Sequence, residues 1–323
     1  MDILKYVKSK GDFPSLLIGI GAVLAGTGAA AIRGNMELLP ASLCCLFAVF
    51  CQLWVHYFSA WMEMRRVGFE CHQPRIKDSD EENTPLALRV LREAMTSTLT
   101  ISIMLWLTLM TMADNGWLTI LLGLLLGVAI FGAGYVMNCG KHPLHETWVS
   151  GVATFIFFGP VPVIGTALVQ VQHDATGGLW NYFDIEPAIY TGIAMGCLAF
   201  AIYLIFKYIQ MRGYAPLAER ALISSRKRSA LRWGVYVSGL VMLADMVFLY
   251  FKLKFGNSIL ICVPAFIAFA MNAYIAFKMK NADVAELRHL KQLSCLNYFL
   301  MGLLIMIIWL VVEYPDDSIR VLF

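Results

Sequence analysis

Charge is scarce in this chain: Asp, Glu, Lys and Arg together make up 15% of 323 residues, against 59% hydrophobic ones. A soluble domain carries about 25% charged residues, so this surface faces lipid over much of its area. Histidine is also rare, with six copies, and none of the eight cysteines stands in a C-x-x-C pair. Neither a zinc site nor a disulfide framework is therefore supported; the cysteines read as small apolar fillers. No basic and aromatic interleaving lies outside the apolar runs, which argues against nucleic acid as a partner. After Lys5, Lys8 and Lys10 the first apolar run is long and lacks a small-residue cleavage pattern, so it reads as a retained span.

What is abundant is long apolar sequence. A helix crosses a bilayer in about 17 to 25 residues, and runs of that kind lie at about 14 to 32, 37 to 58, 97 to 113, 117 to 137, 148 to 170, 188 to 211, 231 to 252, 258 to 279 and 296 to 313. The expected fold is an all-α integral membrane protein, a bundle of about nine transmembrane helices forming a single domain over 1–323. Lys and Arg set the orientation, because basic loops stay cytoplasmic. With the N-terminus inside, 20 of the 25 basic residues fall on inside segments; Arg33, Lys252, Lys254 and Arg320 fall outside, and Lys207 lies in a span. The topology is N-terminus cytoplasmic, C-terminus outside, in the inner membrane if the cell is bacterial. Two long inside loops, 63 to 95 and 212 to 232, are expected to cap whatever the spans enclose. An apolar pair of spans precedes each of them, a pseudo-repeat that points to a site between halves.

The stretch "FIFFGPVPVIGT", Phe155 to Thr166, places Gly159, Pro160, Pro162 and Gly165 inside an apolar run. Such residues sit at membrane depth where neighbouring helices or a cavity satisfy the freed backbone groups. Two readings follow: a bent helix beside a cavity, with Gly159 and Gly165 allowing close approach, or a proline-kinked helix packed with no cavity.

The longer stretch "GKHPLHETWVSGVATFIFFGPVPVIGTALVQ", Gly140 to Gln170, resembles the central region of the UbiA superfamily of intramembrane aromatic prenyltransferases. The branch it is most similar to makes menaquinone precursors from 1,4-dihydroxy-2-naphthoate. Gly140, Pro143, Leu144, Gly151, Phe157 to Val161, Val163, Gly165 and Thr166 match that branch's pattern in order, and "GDFPSLLIGIGAVLAGTGAA" is similar to its first span. The resemblance implies transfer of a polyprenyl group from a polyprenyl diphosphate to an aromatic acceptor. It also implies Mg²⁺, held by two Asp-rich motifs at the ends of spans two and six, to take the charge of the leaving diphosphate.

Both motifs depart from the pattern. In "SAWMEMRRVG", Ser59 and Ala60 stand where Asn and Asp are expected, and Glu63 is the one carboxylate left. In "KYIQMRGYA", Lys207 and Tyr208 replace the asparagines, and Met211 and Ala215 replace the aspartates. Two resolutions stay open. A prenyltransferase could substitute fixed cations for metal, with Lys207, Arg66, Arg212 and Arg228 as diphosphate-binding candidates and Glu63 orienting them. Alternatively, a catalytically silent relative binds a polyprenyl or quinone lipid, with Lys207 and Glu63 paired across the former metal site. Candidates to face an aromatic substrate are His56, Tyr135 and His142. A third alternative, a secondary transporter, rests on the intramembrane Asp245 and the pseudo-repeat. Oligomeric state is left open.

Overall fold

The computed structural model describes residues 13–32, 36–70, 86–112, 116–139, 147–170, 182–213, 225–253 and 259–311. Among these the chain is all helical. In order the helices are α1 (Phe13–Ala31), α2 (Leu38–Glu70), α3 (Leu86–Met112), α4 (Gly116–Asn138), α5 (Val149–Phe157), α6 (Pro160–Gln170), α7 (Tyr182–Gly213) and α8 (Ser225–Leu253). A 3₁₀ turn over Ile259–Cys262 leads into α9 (Val263–Lys278), and α10 (Val284–Val311) follows. Each of the nine apolar runs coincides with a helix, α5 and α6 together making one span. Six of the spans are long and apolar enough to cross a membrane, and three apolar helices are shorter. At 1.5 Å per residue, the 16 residues of α9 reach about 24 Å, short of a hydrocarbon core of about 30 Å.

The helices overrun several of the apolar runs. α2 continues past residue 58 to Glu70 and α3 begins at Leu86, well before 97. Hydropathy marks where lipid ends, whereas backbone hydrogen bonding carries a helix on through polar sequence. The expected 63 to 95 loop is thus largely helix at both of its ends. Its middle, and much of the expected 212 to 232 loop, lie outside the described residues.

Successive spans run up and down. Near one end of the bundle, Tyr203 of α7 hydrogen-bonds the carbonyl of Thr147 just before α5 at 3.2 Å, and Tyr208 bonds that of Met279 just after α9 at 2.9 Å. At the other end, Gln170 closing α6 donates to Thr27 of α1 at 3.2 Å, and Lys252 closing α8 donates to Tyr190 early in α7 at 3.1 Å. These are called here the basic end, where Lys207 and Lys291 lie, and the far end.

Lipid tails are as apolar as leucine, so association of the helices rests on close packing, and small residues at crossings permit it. α1 supplies Ala22, Ala25, Ala29 and Ala30 to the main core beside Met195, Leu198, Met246, Tyr298 and Trp309. Its Gly21 meets Gly302 of α10 so closely that a methyl group on Gly302 would strike the Gly21 carbonyl. α7 is the central helix: 67% of its apolar window is buried, against 17% for α3 on the lipid-facing side.

Candidate functional site

The break in the fifth span falls at Phe158 and Gly159, and Pro160 opens α6. Proline suits the first turn of a helix, where its missing N–H has no intrahelical partner to lose. Pro162 would have donated to the Phe158 carbonyl had it an N–H; the Tyr298 hydroxyl of α10 donates to that oxygen instead. The freed group is thereby satisfied at membrane depth. Gly159 lies directly on α7: a methyl group there would collide with the backbone of Gly196, and one on Gly192 would come within 2.8 Å of the Pro160 Cα. Gly192 and Gly196, a small-x-x-x-small pair, form the other half of this crossing. Their spacing is visible in the sequence, but nothing in it shows which helix they face.

Gly165 differs. A methyl group there would meet only a Leu126 methyl, at an ordinary 3.4 Å, because Gly165 forms part of a cavity wall. The cavity has a volume of about 580 Å³ and is lined from α1, α2, α3, α4, α5, α6, α7 and α10. The bent-helix-beside-a-cavity reading therefore holds. Close backbone approach is the property of Gly159, and open space that of Gly165.

Most of the wall is apolar, with Val23, Phe47, Leu109, Leu126, Ile130, Val161 and Val169 among its residues. Polar side chains collect toward the basic end: Gln52 and His56 from α2, Asn138 ending α4, Ser150 and Thr154 early in α5, Tyr203 from α7 and Lys291 from α10. Several are anchored by their own backbone. Asn138 donates to the Gly134 carbonyl at 2.8 Å, Ser150 to that of Thr147 at 3.0 Å and Thr154 to that of Ser150 at 2.7 Å. Toward the far end, next to the wall residue Val169, Gln170 is buried. It ties α6 to α1 through Thr27 and accepts from the Glu37 backbone N–H at 3.4 Å.

Of the residues singled out in the sequence, His56 lines this cavity. Lys207 does not, but its ammonium lies 5.7 Å from the ring centroid of Tyr203, which does. Tyr135 is largely exposed and stacks on Phe58 at 5.8 Å, away from the lining. Glu63 is exposed on α2, and Arg228 is half-buried in the first turn of α8, which contributes nothing to the lining. The side chains of Arg66 and Arg212, and His142 entirely, lie outside the described residues. Asp245, on α8, is also remote from the cavity; one carboxylate oxygen is buried with no hydrogen-bond partner among the described residues. Lys291 was missed. In "AELRHLKQLSCLNYF" it reads as a solvated lead-in to the last span, and only the position of α10 beside α7 turns it inward.

Magnesium prefers carboxylate and phosphate oxygens in octahedral array. No carboxylate is present in the described lining, and its one fully charged side chain is the cation Lys291. Among the described residues no three of His, Cys, Asp or Glu gather where a metal ion could sit. This donor set does not fit Mg²⁺.

No protein-family model matches the sequence, and no curated protein does. A solved structure does: the apo structure of a UbiA homologue from Aeropyrum pernix K1 superimposes with a TM-score of 0.57 at 13% identity, covering 90% of this chain and 97% of that one. The fold is UbiA-like. A multi-pass membrane protein of UbiA-like architecture thus carries an apolar cavity with one polar end, where Lys291 joins the described lining.

Proposed function

We propose that this UbiA-like protein takes a polyprenyl diphosphate into the cavity and transfers its polyprenyl group to an aromatic acceptor such as 1,4-dihydroxy-2-naphthoate, a step of menaquinone biosynthesis. The observation that carries the reading is the cavity itself. Binding sites of about 300 to 1,000 Å³ bury most of a ligand's surface behind apolar walls with a few placed polar groups, and 580 Å³ with polar groups at one end suits an isoprenoid tail and a polar head. In the transfer the allylic C–O bond breaks and its electron pair leaves with the diphosphate. An aromatic carbon forms the new C–C bond and releases what it carried, a proton or, from a ring acid, carbon dioxide. In this reading His56, a residue of the lining, hydrogen-bonds the acceptor's hydroxyl. The basic end faces the cytoplasm in this reading, in line with the bias of Lys and Arg.

One observation favours a second reading. Leaving diphosphate carries several negative charges, and the described lining opposes them with one ammonium and no metal-binding carboxylate. A UbiA-fold protein that binds a polyprenyl or quinone lipid without turnover fits the same cavity.

The test uses the purified full chain in nanodiscs with radiolabelled geranylgeranyl diphosphate and 1,4-dihydroxy-2-naphthoate. Prenylated product supports transfer. Retention of label without product establishes the second reading, and neither product nor retention removes both.

A further inference from the structure

We infer that the basic end of the cavity is a metal-independent site for an isoprenoid phosphate, with Lys291 as the group that holds the anion. The inference rests on the reading of the cavity as an isoprenoid site and specifies how the head is recognised. Four observations carry it.

First, Lys291 is the one fully charged side chain in the described lining, and it lies with the polar residues and not among the apolar ones. Second, its ammonium stands 5.4 Å from the ring centroid of Phe206, itself a wall residue. A cation over an aromatic face is held there electrostatically, which fixes a long flexible side chain at the cavity wall. Third, one turn of α7 away, Lys207 stands over the ring of Tyr203. Two ammonium groups thus back adjacent aromatic wall residues, the nearer in the lining and the other behind it. Fourth, Asn138, Ser150, Gln52 and Tyr203 line this end with neutral polar side chains.

A lysine binds phosphate as a point charge, and apolar walls strengthen that attraction because little water screens it. The same walls and the same ammonium repel a divalent cation. A mono- or diphosphate head shares the required chemistry, and the two are separate arms of the test.

The experiment measures binding of geranylgeranyl diphosphate, geranylgeranyl monophosphate and geranylgeraniol to the full chain in nanodiscs of zwitterionic lipid, in Mg²⁺ and in EDTA. Wild type, Lys291→Gln and Lys291→Arg are compared, each first shown to match the wild type in elution volume and melting. The expected result is equal diphosphate affinity with Mg²⁺ and with EDTA. Lys291→Gln is expected to lose about tenfold, the scale of one charge-assisted contact, and Lys291→Arg to stay within about threefold of wild type. The alcohol, lacking the anion, should bind all three proteins alike. If the monophosphate shows the same loss, one phosphate suffices; a loss confined to the diphosphate assigns the site to that head. Binding abolished by EDTA, or equal diphosphate affinity in wild type and Lys291→Gln, overturns the inference while alcohol binding leaves the cavity reading standing. Failure of all three isoprenoids to bind the wild type overturns both.

Discussion

The crossing of α5 and α6 with α7 and the wall formed by α3 and α4 border the same cavity by opposite means. At the crossing, backbone meets backbone: Gly159, Gly192 and Gly196 leave no room for a methyl group, and Phe155 offers its carbonyl within 2.8 Å of where a Gly196 methyl would stand. Along the wall, backbone meets side chain. Gly123 and Gly127 of α4 are filled by Met110 and Trp106 of α3, and a Gly127 methyl would come within 2.5 Å of the indole ring. The outer surface there exposes Met104, Leu107, Leu124, Leu125 and Val128 to lipid. Methionine and tryptophan side chains can turn aside at modest cost, whereas two backbones cannot. One side of the cavity is therefore rigid and the other is able to adapt to the length and shape of an apolar guest.

The largest effect expected from this contrast is at Gly159. Gly159→Val places three carbons where α7 backbone already lies; overpacking of this kind costs about 3 kcal/mol, and loss of the monodisperse folded species in size-exclusion chromatography would report it. Gly127→Ala, set against a movable indole, should cost about 1 kcal/mol or less by thermal melting. Equal costs at the two sites would erase the distinction between rigid and adaptable sides.

Tyr298→Phe comes next. It leaves the Phe158 carbonyl, already deprived of a donor by Pro162, without its hydroxyl partner, and a buried unsatisfied group costs about 1 to 3 kcal/mol. A melting temperature unchanged from wild type would show that the break needs no partner. At the far end of α7, Lys252 pairs with the buried Glu186. Removing the cation strands a carboxylate that is 3% exposed, whereas removing the charge on Glu186 frees a lysine that reaches solvent. Lys252→Met should therefore lower the melting temperature more than Glu186→Gln, by a modest margin since the half-exposed lysine weakens the pair. Comparing the two melts checks the asymmetry. The smallest effect on stability is expected at Gly165→Ala, within about 0.5 kcal/mol, since only a Leu126 methyl is near. Gly165→Leu projects into the cavity instead, and should lower isoprenoid binding while leaving melting nearly unchanged.

Much of this architecture was legible in the chain. Among the described residues each of the nine apolar runs falls on a helix, six of the spans long and apolar enough to cross a membrane, because hydropathy reports the membrane directly, and the cluster of Gly159, Pro160, Pro162 and Gly165 marked the stretch that holds the break. Facing was not legible. α7 is apolar nearly all round, so no stripe announces that Gly192 and Gly196 face α6 while Tyr203 and Phe206 face the cavity. The site was legible in the broken stretch, whose Phe158, Val161 and Gly165 line the cavity, and, among the described site candidates, at His56. Lys207 drew attention by its place in a degenerate motif, yet it stands behind Tyr203; Lys291 carries no motif at all and enters the lining through tertiary packing alone. Arg228 and Asp245 sit on α8, and nothing in their local sequence shows that α8 and α9 pack on the far side of α7 and α10 from the cavity.

The most direct test of the central claim is photolabelling of the full chain in nanodiscs with a geranylgeranyl diphosphate analogue bearing a diazirine on its tail, followed by peptide mapping. The account predicts labels on wall residues such as Trp106, Leu126, Val161 and Val169, competed away by unlabelled geranylgeranyl diphosphate. Labels confined to outward-facing residues such as Leu125, Phe251 and Phe277, insensitive to competitor, would contradict it.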